Sequence, residues 1–320
     1  MASSLSVGVE VTGDGVGATA DTPASGVRGL ARRLDSADVS YWVIGAERAE
    51  VDGASASSLD PTLVATTAAR HSVRLGLVVA AAPHRDHPYN LARRLVSVDH
   101  AAHGRAGWLA LDRDRTIAQN VDVDAWTGSD LGAEHTADAI AAVRTLWRTW
   151  PLQSVVGNLA SGVFADASQI RRADVTRGYS ITGPLNVPGS VQGDLPVWQQ
   201  WPQGGESGGE DADLVIVEDG DRLPRDVPAV VRVRSTKHLP ATLDRIAHDT
   251  TAAGVILRLA PSDLDRVLDE VLPAARRRAV VDDVRAGTLR QRLRLRVPRE
   301  PDLTDHARAF AVAPNPGGRL

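Results

Sequence analysis

The chain has 320 residues, with 36 basic against 40 acidic residues, and no cysteine. Without cysteine there are no disulfides, zinc–thiolate sites, iron–sulfur clusters or cysteine nucleophiles. The near balance of charge, spread along the chain, predicts no nucleic-acid footprint, and no apolar run approaches the roughly 18–20 residues of a membrane span.

A hydrophobic share of 43% is enough for a packed core. Met1-Ala2-Ser3-Ser4 lacks the basic and apolar regions of a secretion signal, so the expected location is the cytoplasm. Lys237 is the single lysine and no Gly-rich phosphate loop precedes it, which argues against P-loop and Schiff-base chemistry.

In chain order, Leu5 to Val11 reads as a first strand and Gly26 to Leu34 as a helix. Tyr41 to Gly45 is a compact strand, and Asp60-Pro61 is an N-cap and first-turn pair opening a helix to Ala69. Leu75 to Ala82 is a near-continuous apolar run, which suits a strand buried on both faces of a parallel sheet. Pro88 opens a helix with Leu91, Leu95, Val98 and Ala102 on one face; Ala106 to Leu111 is a fourth strand, and Glu134 to Trp150 a helix. Residues 151–195 are a long connection rich in Gly, Pro and Asn. Pro196 to Gln200, Leu214 to Val217, Ala229 to Val233 and Gly254 to Leu257 complete eight strands, with helices over Leu239 to Ala253 and Ser262 to Arg278.

Eight strands in this pattern predict an α/β fold of the TIM type, a (β/α)8 barrel. The connections Trp201 to Asp213 and Glu218 to Pro228 are too short to carry a full crossover helix, so the barrel is expected to be incomplete, with helices missing between strands 5 and 7. The domain reading is one barrel over 1–296, with an irregular excursion at 151–195, and a Pro-rich tail over 297–320.

Three stretches carry a resemblance: His87 to Trp108, Gly183 to Gly193, and Leu264 to Pro273 with Gly287-Thr288-Leu289-Arg290. Taken in order, they resemble the bacterial luciferase-like, flavin-dependent monooxygenases, in the branch with nitrilotriacetate and dibenzothiophene-sulfone monooxygenases. The resemblance implies a barrel that binds reduced FMN delivered by a flavin reductase and uses O2 on a small organic substrate. It also implies a homo- or hetero-dimer, with a homologous barrel subunit as one partner.

Carried over by position, the resemblance gives Glu47 and Gln200 as cofactor-binding residues; Trp108, on the fourth strand, and Gly204, in a Gly-rich run that could form a substitute anion-binding nest, are the other cofactor candidates. His84 and His87, in the loop after the third strand, are the catalytic candidates. Departures fall on the flavin seat: Ala80 to Ala82, Leu109 to Arg113, Ser129, Ala133 and the turn Trp201-Pro202-Gln203-Gly204. Pro202 removes a backbone donor where a phosphate would need one, and Arg113 is a candidate phosphate partner instead. The alternative reading is a non-catalytic barrel acting as a structural or regulatory partner. The pairs His84/His87 and His100/His103, without cysteine, are not read as a metal site.

Overall fold

The computed structural model describes residues 4–12, 23–50, 59–115, 122–202, 211–234, 237–248, 252–296 and 305–310. Eight parallel strands close into a barrel: β1 (Ser6–Val11), β2 (Tyr41–Ile44), β3 (Gly76–Ala81), β4 (Ala106–Ala110), β5 (Val197–Gln200), β6 (Leu214–Glu218), β7 (Ala229–Val233) and β8 (Ala252–Leu259). Each strand pairs with its neighbours in sequence, and β8 closes on β1 through Ser6–Gly254 to Val11–Leu259. Outside the cylinder lie α1 (Pro23–Ser36), α2 (Pro61–Ala69), α3 (Pro88–Ala101), α4 (Ala133–Trp147) and α5 (Leu239–His248). A further helical run follows, made of Leu264–Arg266, a π turn at Val267–Val271 and Leu272–Arg277.

The TIM-type expectation holds: the strand cylinder is complete, and among the described residues the thin side is a missing outer helix between β6 and β7. Residues 219–228 join β6 to β7 without a helix, as their length requires. The β5 to β6 connection falls mostly on 203–210, outside the described residues. The helix expected to reach Ala253 ends at His248, and β8 begins at Ala252.

The strand alternation separates two cores. Val7, Val9, Leu77, Val79, Trp108 and Val231 face the helices, whereas Tyr41, Val43, Val78, Leu109, Trp198, Ile216, Val230 and Ile256 fill the barrel. Two glycines make room for the large interior rings. A Cβ on Gly8 would lie 2.2 Å from the Tyr41 ring and one on Gly107 would lie 2.5 Å from Trp198. With that space the two rings meet at 5.4 Å between centroids.

The segment 151–195 is not irregular throughout. It forms two small antiparallel pairs, Val155–Asn158 with Val163–Ala165 and Asp174–Val175 with Ile181–Thr182. Residues of the tail lie against it, with Arg172 N–H donating to Ala307 and Ala309 N–H to Ile170.

At the N-terminal end of the strands the recognisable stretches meet in a buried polar network. The Asp99 carboxylate accepts from Ser190 Oγ (2.7 Å), Gln192 Nε2 (2.8 Å) and Ala106 N–H (3.1 Å). Gln192 Oε1 accepts from Arg290 N–H. The Arg290 guanidinium spends all its N–H groups, on both oxygens of Asp213 (2.8 Å each) and on the carbonyls of Asp194, Leu195 and Arg296. Thr288 and Gln291 form a capping box that sets the short helix Leu289–Arg292, whose Leu289 plugs the barrel floor. These residues hold the excursion and the closing helix to the cylinder.

Candidate active site

At the opposite, C-terminal end of the strands the inward positions turn from apolar to charged. Glu10 on β1 and Arg232 on β7 continue the inward rows begun by Gly8 and Val230, and both side chains are buried, at 5% and 7% exposure. Arg232 donates to Glu10 Oε1 from Nε (3.1 Å) and Nη2 (3.0 Å), and from Nη1 to Gln200 Oε1 (2.9 Å) and Glu218 Oε1 (3.1 Å). Arg234 bonds Glu218 and Glu50, and Arg258 on β8 bonds Glu50.

The pairs set one another's charge. Burial alone would raise the Glu218 carboxyl, but Arg234 and Arg232 bring it below its ordinary value. Glu50 is lowered first by its hydrogen bond from Arg258. Above this floor opens a cavity of about 740 Å3. One wall is apolar, from Leu109, Ala110, Leu111 and Ala133; the rest carries Gln200, Trp201, Pro202, the arginines 113, 115, 232 and 234, and the carboxylates of Glu50, Asp112 and Glu218.

The residues expected at the site divide. Gln200 lines the cavity, with its amide shared between Arg232 and the Ile216 carbonyl. Glu47 sits in the turn Ala46–Ala49, whose Ala46 and Ala49 line the cavity while Glu47 itself does not; burial raises its carboxyl. Trp108 is fully buried on the helix side of β4, its Nε1 donating to the Ala81 carbonyl, so it backs the barrel wall from outside. Gly204 lies outside the described residues.

Neither catalytic candidate lines the cavity. His84 Nε2 accepts the Asp114 N–H at 2.9 Å, and so pins the loop that carries Asp112, Arg113 and Arg115 to the cavity wall. His87 caps α3 through Nδ1 and packs edge-on against Trp126 and Tyr179. Behind the wall, His135 Nε2 meets Asp124 Oδ2 (2.9 Å) and the Tyr179 hydroxyl (2.8 Å), tying α4 and the 122–131 loop to the excursion. His84 and His87 therefore have positioning work in view.

That work makes a pH dependence. Burial first, and then the Arg85 charge, lower His84 below its ordinary 6.5. The unfolded chain then binds more protons, so this contribution to stability is complete above about pH 6.5 and is lost as pH falls through the lower folded value. A His84→Gln variant is expected to show a shallower fall in melting temperature than the parent between pH 6.5 and 5. Identical slopes for the two proteins would show that His84 does not set this dependence.

Sequence reasoning misses Glu10, Arg232, Arg115 and the Asp124–His135–Tyr179 group. The first two carry a signal: each is the single charged residue of its strand, at the penultimate position. Among the described residues no cluster of three or more His, Asp or Glu could hold a metal ion, and no helix is long and apolar enough to cross a membrane.

A closed parallel barrel with its cavity at the strands' C-terminal ends and a long excursion between β4 and β5 defines the class: a TIM-type (β/α)8 barrel. A long-chain alkane monooxygenase structure superposes with a TM-score of 0.68 over 92% of this chain and 96% of its own, at 13% identity. In sequence, the chain is 28% identical to one of the subunits of the pristinamycin IIA synthase of Streptomyces pristinaespiralis, over 88% of this chain and 94% of the relative. It is 29% identical to the dibenzothiophene-sulfone monooxygenase of Rhodococcus erythropolis over 51% of this chain, and that match spans only 37% of the relative's length. No family model matches the chain. Several of the homologues are by name monooxygenases, and the resemblance read from the three sequence stretches holds.

Proposed function

We propose that this chain is an FMN-dependent monooxygenase barrel, supplied with reduced FMN by a separate reductase in the cytoplasm, and working as one subunit beside a homologous barrel. The observation that carries the reading is the cavity at the mouth of the strands, where barrel sites lie. The subunit reading is supported by the relative from Streptomyces pristinaespiralis, which is by name one subunit of a synthase and which aligns with this chain over nearly the full length of both.

The residues present fit a flavin. The volume of about 740 Å3 lies in the range of cofactor pockets, and the apolar wall from Leu109 to Leu111 with Ala133 suits a ring. Gln200 at the end of β5 would meet the polar edge of that ring, and Trp201 would flank it. Glu47 would hold the Ala46–Ala49 turn against the cavity, and Trp108 would stiffen the β4 wall. Bound reduced FMN supplies the reaction with dioxygen. The apolar wall excludes water, while the Glu10–Arg232–Glu218 floor presents charges already neutralised by one another. His84 holds the loop of Asp112 and Arg113 in place, and His87 fixes the start of α3.

Anaerobic titration of the purified chain with reduced FMN tests the reading. Saturable binding is expected; no binding at concentrations well above cellular ones would favour the non-catalytic partner.

A further inference from the structure

A flavin phosphate needs donors, and the turn after β5 offers none at residues 201–202: the Trp201 N–H is spent on the Ile216 carbonyl, and Pro202 has none. The cations of the same cavity must then be sorted. Arg232 is committed to Glu10, Gln200 and Glu218, and every guanidinium nitrogen of Arg234 is bonded to Glu218 or Glu50. Arg113 gives Nη1 to Asp122 and Nη2 to the Leu131 carbonyl, which leaves its Nε. Arg115 differs from all three. Its backbone is fixed, N–H to the Arg48 carbonyl at 2.7 Å, while its exposed guanidinium takes no partner among the described residues and lines the cavity. Two of the cavity carboxylates that might neutralise it, Glu50 and Glu218, are engaged by arginines, and the third, Asp112, accepts the Thr136 hydroxyl on Oδ1.

We propose that Arg115, with Arg113 beside it, anchors the phosphate of the bound flavin in place of the backbone donors missing at residues 201–202. The proposal rests on the flavin reading above. A guanidinium meets a phosphate through two parallel charge-assisted bonds, and an anchor of this kind distinguishes FMN from riboflavin, which has the same ring and no phosphate.

The test is anaerobic calorimetric titration of the whole chain with reduced FMN and, separately, with reduced riboflavin. The parent should bind FMN more tightly. Arg115→Gln should weaken FMN by roughly ten- to a hundredfold while leaving riboflavin unchanged, from the strength of charged hydrogen bonds. Arg115→Glu should weaken FMN further and again spare riboflavin. Because Arg115 is exposed, both variants should melt with the parent. An Arg115→Gln protein that keeps the parent's preference for FMN overturns the proposal, as does a parent that binds the two flavins equally. If the parent binds neither, the flavin reading fails and takes the anchor with it, an outcome recognisable because both titrations are flat.

Discussion

Replacing Arg290 with methionine is expected to lower the melting temperature by roughly five to seven degrees, the largest effect of any single change at the closed end of the barrel. Arg290 is 1% exposed and joins its own short helix and the nearby 296 carbonyl to two segments distant in sequence: the end of the excursion at Asp194 and Leu195, and the residue before β6 at Asp213. Removing it strands part of the Asp213 carboxylate, whose ionised form is held against burial by Arg290 and Arg144, and leaves three carbonyls without a donor. Taking one partner from a buried pair costs about 3–5 kcal/mol. Arg290→Lys should rescue little, since one ammonium cannot reproduce five donors in a plane. Differential scanning calorimetry checks both variants. A loss of no more than about two degrees would mean that the network is dispensable.

At the mouth, Arg232→Met should cost about 3–5 kcal/mol in denaturant unfolding, because Glu10 would be left buried on β1 without its hydrogen-bonded partner, with Arg258 on β8 the cation that remains near it. The double variant Glu10→Leu with Arg232→Met should recover most of that loss, since a buried ion pair can often be exchanged for apolar residues at little cost. The sign of the difference between single and double variants decides the matter: a double variant no better than the single would show that Glu10 gains nothing from Arg232. Recovery of stability should not restore the site. Gln200 loses the Arg232 donor that holds its carbonyl, so flavin affinity is expected to stay impaired in both.

The two networks explain what is legible in the sequence. The stretches that carry the family resemblance, with Asp99, Ser190, Gln192 and Arg290, lie at the closed end and hold the scaffold, so they report the fold and not the chemistry. The strands are visible as apolar runs, and α2 is announced by the Asp60-Pro61 pair; Asp60 does accept the Thr62 N–H. The same apolar runs hide the two faces. In β4, Trp108 and Leu109 are equally buried and adjacent, one towards the helices and one towards the barrel interior, and a strand covered on both sides gives no alternation to tell them apart. Trp108 therefore reads as a cofactor residue in the sequence, whereas it stands behind the wall. Glu10 and Arg232 are 222 residues apart in the chain, and only closure of β8 on β1 brings them together. The strands of the excursion are two to four residues long, too short to leave a period among its glycines and prolines.

The central claim is that this barrel holds reduced FMN in the cavity at the C-terminal mouth of its strands. The most direct measurement is the anaerobic titration followed by hydrogen exchange along the chain. Saturation should slow exchange in peptides covering 107–115, 197–202 and 229–234, while 183–194 and 287–292 at the closed end stay unchanged. Protection confined to the closed end, or no protection at saturating reduced FMN, would contradict that claim.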